Sequence, residues 1–140
     1  MISVYINREI KASPSDQEIK KILSLIGKKL KFAGQIEINI IGESVIKKLN
    51  KKYRKKDKVT DVLSFAWQED KIINSDFIGQ IYICYPQIQR QAKEFKVSAG
   101  EEFIRILTHG VLHLLGYDHV EENGAKKMFK IQEDIVKKFL

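Results

Sequence analysis

The sequence contains one cysteine, two prolines and eight glycines among 140 residues, and each scarcity excludes a class of protein. With Cys84 alone, neither an internal disulfide nor a cysteine-based zinc module can form. No apolar run approaches the ~20 residues that a membrane span requires, and no segment matches a secretory leader. We therefore expect a protein of the reducing cytoplasm that has no membrane partner.

Length and apolar content predict a single domain over residues 1–140. At 44% hydrophobic residues, the chain can fold without disulfides or a partner chain, because a domain of this size buries roughly two-thirds of its unfolded surface. There is no low-complexity tract or internal repeat, so long linkers and tails are not expected.

Hydrophobic periodicity predicts an α+β fold. Alternating apolar residues predict four strands, at 2–7, at 36–41, at 60–66 and from Gly79. Apolar residues at helical spacing predict about five helices, which begin near Ser13, Ser44, Pro86, Ser98 and Glu121. We expect a small mixed four-stranded sheet covered by these helices, with an exposed loop from Gln68 to Asp76.

Capping residues predict where several helices begin and end. Ser13 is the expected N-cap of the first helix, with Pro14 as its first residue and Gly34 at its end. Ser98 and Glu101 have the spacing of a capping box, and Gly116 is expected to end the helix that follows. The last helix is expected to bury one stripe of side chains, namely Ala125, Met128, Phe129, Gln132, Ile135, Val136 and Phe139.

All three histidines fall within eleven residues, in the pattern H-x-x-x-H-x-x-x-x-x-H. His109 and His113 are one helical turn apart, so their Cβ atoms lie ~6 Å from each other on one face, which suits two imidazoles on one metal ion. If Gly116 ends the helix, His119 can turn back as a third ligand. Three histidines and an open fourth position are typical of catalytic zinc, one ion per chain, although nickel or copper would also be accepted.

Two other interpretations of the histidines remain open. In the first, they are ordinary helix and loop residues; in the second, they form a structural zinc site with Asp118 or Cys84 as fourth ligand. The spacing also matches the metzincin pattern H-E-x-x-H-x-x-G-x-x-H, so we predict a zincin-like histidine helix. Gly110 stands where such a protease carries its glutamate base, which argues against peptide hydrolysis.

The excess positive charge is concentrated in one segment. Residues 47–58 hold eight basic residues and one acidic residue, whereas the other 128 residues hold 17 of each. We call this segment the basic patch. It predicts binding of a polyanion with a steep salt dependence, and the alternative is a solvated helix face. Within the patch, Arg54 carries the guanidinium group, which is the better bidentate clamp on a phosphate.

Three segments resemble the YbeY endoribonuclease family: LNKKYRKKDKVTDVLSF at 49–65, IGQIYI at 78–83 and HGVLHLLGYDH at 109–119. The resemblance implies a single-strand-specific, metal-dependent endoribonuclease that acts in ribosomal RNA maturation, notably at the 3′ end of 16S rRNA, and in ribosome quality control. Its partners would be single-stranded RNA, ribosomal RNA and the ribosome. The family pattern implies zinc ligation by His109, His113 and His119, and a functional Arg54 in the same cleft.

These assignments agree with the chemistry of the residues. A metal on three histidines lowers the pKa of bound water and polarises a phosphoryl oxygen, while Arg54 can stabilise growing charge on the phosphate. Asp118 can orient a ligand or shuttle a proton. The nucleophile is either water or the RNA 2′-hydroxyl, and the two give different product ends. The expected RNA-binding residues are Lys51, Lys52, Arg54, Lys55 and Lys56.

Two functional rivals remain at this point. One is a non-catalytic ribosome assembly factor that docks through the basic patch and uses zinc for structure. The other is a metallohydrolase of a small or peptide substrate, which Gly110 and the basic patch disfavour.

Overall fold

The computed structural model describes residues 2–67, 76–117 and 121–140. The strands are β1 (Ile2–Arg8), β2 (Gly34–Ile41), β3 (Val62–Ala66) and β4 (Phe77–Cys84). The helices are α1 (Asp16–Leu30), α2 (Glu43–Arg54), α3 (Tyr85–Phe95), α4 (Ala99–Leu114) and α5 (Glu122–Lys137). The predicted α+β fold is therefore confirmed. Apart from Asp76, the predicted loop at 68–76 lies outside the described residues, and no helix among those described is long and apolar enough to cross a membrane.

The four strands form one mixed sheet in the order β1-β2-β4-β3. β1, β2 and β4 are parallel, while β3 pairs antiparallel with β4 and forms an edge of the sheet. The main core lies between one face of the sheet and helices α1, α3, α4 and α5. A smaller core, which includes Cys84 and Leu63, packs the other face against α2. The side chain of Cys84 is fully buried in this smaller core.

The ends of α1 differ from the prediction. Ser15, not Ser13, is the N-cap: its hydroxyl accepts from the Glu18 N–H, and the Glu18 carboxylate accepts from the Ser15 N–H. This reciprocal capping box satisfies the backbone donors of Ser15 and Glu18, and a cap at Ser13 could not form it, because Asp16 and not a Glu or Gln would stand at N3. The helix ends at Leu30 and is capped by Lys31 in the left-handed conformation (φ 52°), whereas Gly34 already begins β2.

Helix α4 begins and ends as predicted, with one difference at its start. Ser98 caps it through the Glu101 N–H, but the Glu101 carboxylate pairs with Arg105 one turn further on. Gly116 follows the helix with a φ of 93°, a conformation that favours glycine.

The buried stripe of α5 is narrower than predicted. Phe129 is 62% exposed, although Met128, Gln132, Ile135 and Val136 are buried. Phe129 lies about 100° around the helix from Met128, so its side chain falls at the margin of the packed face.

Candidate functional site

A cleft of about 940 Å³ runs along the edge strand β3. Its walls come from β3, the end of α2, helices α3 and α4, and Gln132 of α5. Arg54, His109 and His113 all line it, so the structure brings together three of the predicted site residues. The edge strand β3 therefore lines the candidate site together with these helices.

The two histidines of α4 project from the same face, as the four-residue spacing predicts. Their rings meet edge to face, with centroids 4.6 Å apart and an interplanar angle of 82°. The Nε2 atom of His113 lies 3.0 Å from the Nε2 atom of His109. Two zinc–nitrogen bonds of about 2.0–2.1 Å at a tetrahedral angle would place their nitrogens about 3.3 Å apart. The imidazole pair therefore fits a single metal ion with only a small adjustment.

Gln132 determines which nitrogen of His109 carries a proton. Its amide Nε2 donates to the carboxylate of Glu133 at 3.1 Å, so its Oε1 is the atom that lies 2.8 Å from His109 Nδ1. An amide oxygen only accepts, so Nδ1 of His109 carries the proton and donates it. The lone pair then lies on Nε2, the nitrogen that faces His113. This is the tautomer that a metal ligand needs.

Arg105 connects this pair to a set of carboxylates. Its guanidinium donates to both oxygens of Glu133, at 2.9 and 3.0 Å, and also to Glu101 and Glu102. Hydrogen bonds from Arg105 lower the pKa of the Glu133 carboxyl, and the bonds to Glu133 raise the pKa of Arg105 in turn. Glu133 is thus held ionised and in place, which keeps the Gln132 amide in one orientation.

The same network reaches the edge strand. Glu102 is only 2% exposed, and its second oxygen accepts from the Gln91 amide at 2.9 Å. Gln91 also donates to Asp61, the residue that precedes β3, at 3.2 Å. Hydrogen bonds therefore link the wall of the cleft from Asp61 through Arg105 to His109.

Arg54 is the last residue of α2 and the member of the basic patch that lines the cleft. The chain turns sharply after it, with Lys55 in the left-handed conformation (φ 58°). Asn50, which is buried, fixes this turn, because its amide donates to the Lys58 carbonyl at 3.0 Å. The four predicted RNA-binding lysines are exposed around this turn: Lys51, Lys52, Lys55 and Lys56.

Gly110 lies on the side of α4 that packs against the sheet. A Cβ atom there would approach Ser64 Oγ at 3.1 Å and the side chains of Val62 and Ile81 at 3.3 Å. The Ser64 hydroxyl also donates to the Gly110 carbonyl at 3.1 Å. Close packing of α4 on the sheet therefore explains why a residue without a side chain stands at this position.

An aromatic cluster borders the cleft on the side of α2. Phe65 of β3 lines the cleft and contacts Tyr53 of α2 edge to face, with ring centroids 5.1 Å apart. Phe65 also meets Tyr82 of β4 at 5.8 Å. Burial raises the pKa of the Tyr82 hydroxyl, together with the nearby charge of Glu37.

Two predicted site residues, Asp118 and His119, lie outside the described residues. Among the residues that are described, no group of three or more histidine, cysteine or acidic side chains is arranged to hold a metal. The assignment of His119 as third ligand and the role of Asp118 therefore remain predictions.

The apolar spacing of α5 places Gln132 in the buried stripe and gives no indication that its amide contacts His109. The polarity of Gln132 could have indicated this contact. A buried amide needs hydrogen-bond partners, so a glutamine among apolar positions at helical spacing indicates that a polar partner lies close to it. The sequence also gave no indication that Arg105, Glu133 and Gln91 form a hydrogen-bond network in the wall of the cleft. Their charged and amide groups gave no local pattern in the chain.

Comparison with known proteins gives consistent matches. A family model described as endoribonuclease YbeY matches residues 2–140. Endoribonuclease YbeY of Ureaplasma urealyticum serovar 10 is 40% identical over 137 residues, which cover 94% of this chain and 88% of that protein. Endoribonuclease YbeY of Malacoplasma penetrans is 42% identical over 121 residues, with 85% and 81% covered. The solution structure of TM1509 from Thermotoga maritima has a TM-score of 0.69 and 33% identity, and covers 98% of this chain and 87% of its own.

Proposed function

Because the chain belongs to the endoribonuclease YbeY family, we propose that it is a zinc-dependent endoribonuclease that cleaves single-stranded RNA. The observation that carries the proposal is the 3.0 Å approach of the two Nε2 atoms of His109 and His113 in a cleft that Arg54 also lines. A pair of imidazoles beside a guanidinium combines a metal-binding group with a phosphate-binding group.

His109 and His113 would hold the zinc ion, with His119 as the proposed third ligand. Nitrogen ligands of this kind suit zinc, and nickel or copper would also be accepted. A bound zinc ion would supply Lewis-acid chemistry, in that it lowers the pKa of a water molecule and polarises a phosphoryl oxygen. Gln132 supports this role, because it keeps the lone pair of His109 on the nitrogen that faces His113.

Arg54 would bind the scissile phosphate and stabilise the charge that grows on its oxygens. Its position at the end of α2 joins the cleft to the exposed lysines of the basic patch, over which RNA would approach. Gly110 leaves the peptidase base position empty of any proton acceptor, which supports RNA over peptide as substrate. Asp118 is proposed to orient a ligand.

The biological role that we propose is maturation of ribosomal RNA in the bacterial cytoplasm, at the 3′ end of 16S rRNA, together with ribosome quality control. Membership of the family and a surface suited to a polyanion support this proposal. The ribosome and its RNA would be the partners.

The test is cleavage of a ribosomal RNA fragment that contains single-stranded and paired regions, with and without a chelator, with mapping of cut sites and product ends. The as-purified protein should contain about one transition metal per chain. His113→Ala should lose metal and cleavage, whereas Arg54→Ala should lose cleavage and keep the metal. Product ends then report whether water or the 2′-hydroxyl attacks.

Two results would contradict the proposal. If His113→Ala does not change the metal content, the proposed metal site is wrong. If Arg54→Ala cleaves RNA at the normal rate, the proposed phosphate-binding role of Arg54 is wrong. If the chelator instead unfolds the protein, and the metal-loaded form never cuts single-stranded RNA, the non-catalytic assembly factor with a structural zinc site is the correct interpretation.

A further inference from the structure

Phe65 and Tyr82 of the aromatic cluster pack against the smaller core, but the exposure of Tyr53 is not explained by packing alone. Tyr53 is 56% exposed, whereas the core aromatics Phe103 and Tyr85 are 0% and 6% exposed. A ring that served only to hold α2 on the sheet would be covered by it. Tyr53 instead lies at the surface, and its ring meets that of Phe65 edge to face.

The surroundings of Tyr53 are strongly cationic. The Nζ atom of Lys52 lies 5.1 Å from the centre of the Tyr53 ring, and Arg54 follows it in the chain. The whole basic patch carries eight basic residues against Asp57. A protein partner with an apolar face would meet this charge at a cost, whereas an anionic polymer would be attracted by it.

Lysines beside exposed aromatic rings are the combination that single-stranded nucleic acid requires, since the cations follow the phosphates and the rings stack on unpaired bases. The contact between Lys52 and the Tyr53 ring does not block this use. An exposed cation–π contact is weaker than the stacking of a base, so a base can displace the lysine, which then remains free to bind a phosphate.

We propose that Tyr53 and Phe65 form a stacking platform for unpaired bases of the RNA strand that enters the cleft. The inference rests on the proposed function, because it assumes that RNA is the substrate. Phe65 lines the same cleft as Arg54 and His109, so a base on this platform lies along the path to the site. Bases within a duplex are already stacked and paired, and the platform therefore discriminates in favour of single strands.

The test uses the full-length protein as purified and a fluorescent single-stranded RNA of about 12 nucleotides, within the usual span of such sites. Binding is read from the initial fluorescence change, before cleavage accumulates, and cleavage of the same RNA is measured separately. A series of RNAs carries one abasic nucleotide at successive positions. The variants are Tyr53→Leu, which removes the ring, Tyr53→Phe, which keeps it, and Tyr5→Leu, a control on the opposite edge strand at 62% exposure.

We expect Tyr53→Leu to raise the Kd about tenfold, while Tyr53→Phe and Tyr5→Leu bind as the wild type does. In the wild type, loss of the base at one or two positions should weaken binding by a similar factor. In Tyr53→Leu, the same abasic RNAs should bind no worse than the intact RNA. The loss of affinity in Tyr53→Leu should persist at high salt, because it does not depend on phosphate contacts. It should be absent for duplex RNA, whose bases are already stacked and paired.

Two outcomes overturn the inference, and they differ from failure of the proposed function. If Tyr53→Leu keeps the abasic sensitivity of the wild type, the platform is wrong, even though wild-type cleavage of RNA leaves the proposed function intact. If Tyr53→Phe loses as much affinity as Tyr53→Leu, the hydroxyl and not the ring is responsible. Wild-type protein that neither binds nor cuts single-stranded RNA would overturn the proposed function and the platform with it.

Discussion

The side-chain oxygen of Gln132 lies 2.8 Å from Nδ1 of His109, across the ring from the Nε2 atom that faces His113. We expect Gln132→Met, which keeps the length of the side chain and removes the acceptor, to weaken zinc binding about 10- to 100-fold, as is typical when such a hydrogen bond is lost. Competition between the metal-free protein and a chromophoric chelator measures this affinity.

Gln132→Glu restores an acceptor for His109 Nδ1 but places a second carboxylate beside Glu133, so we expect it to recover only part of the zinc affinity that the methionine variant loses. Thermal unfolding of each metal-free variant separates a loss of zinc affinity from a loss of folding. Equal zinc affinities for the methionine variant and the wild type would contradict the role given to Gln132.

The ion pair of Arg105 and Glu133 predicts how stability changes in acid. The bonds from Arg105 lower the pKa of Glu133 in the folded protein, so this carboxyl stabilises the fold above its unfolded pKa of about 4.3 and loses that contribution as the pH falls through the lower folded value. Glu133→Gln should reduce the free energy of unfolding by roughly 1 kcal/mol at pH 7. Urea unfolding should show this difference shrinking towards pH 3, and a constant difference would be inconsistent with the ion pair.

The positions of His109 and His113 followed from the sequence because helical spacing is a local rule, and both lie within α4. The turn at Gly116 was predictable for the same reason. The contact between His109 and Gln132 spans 23 residues and depends on how α5 packs against α4, which no local pattern encodes. The order of the strands in the sheet could not be predicted for the same reason, because β4 pairs with β2 and β3 and not with strands chosen by a local pattern.

The exposure of a side chain in the aromatic cluster is also not encoded by a local pattern. Leu49 of α2 packs against the smaller core, whereas Tyr53, one turn later, is exposed. The helix ends one residue after Tyr53, at Arg54, so no further turn of α2 covers the ring, which is 56% exposed. Exposure at the end of an amphipathic helix depends on the size of the surface beneath it.

The close contact between β4 and the edge strand β3 predicts that one added methyl group at Gly79 strongly destabilises the fold. A Cβ atom at Gly79 would collide with the carbonyl oxygen of Phe65 and lie 2.8 Å from Cδ2 of Leu114. Gly79→Ala should therefore lower the free energy of unfolding by about 1–3 kcal/mol, because the backbone of β3 must move. Gly100→Ala is the control: the nearest atom, Ser98 Oγ, is 3.9 Å away, and the change should be neutral or stabilising by about 0.5 kcal/mol. Equal urea midpoints for the two variants would refute the close approach.

The basic patch predicts a specific change in salt dependence. For single strands, each lysine that neutralises a phosphate contributes about 0.7 to the slope of log K against log salt, so replacing four with alanine should flatten that slope by up to about 3. The residues to replace are Lys51, Lys52, Lys55 and Lys56, with the metal content unchanged. Four exposed lysines of α1, on the other face of the sheet, provide a variant of equal charge: Lys20, Lys21, Lys28 and Lys29. Because that variant loses the same net charge away from the cleft, it should keep most of the slope. Equal flattening in the two variants would mean that net charge, and not the position of the patch beside Arg54, governs RNA binding.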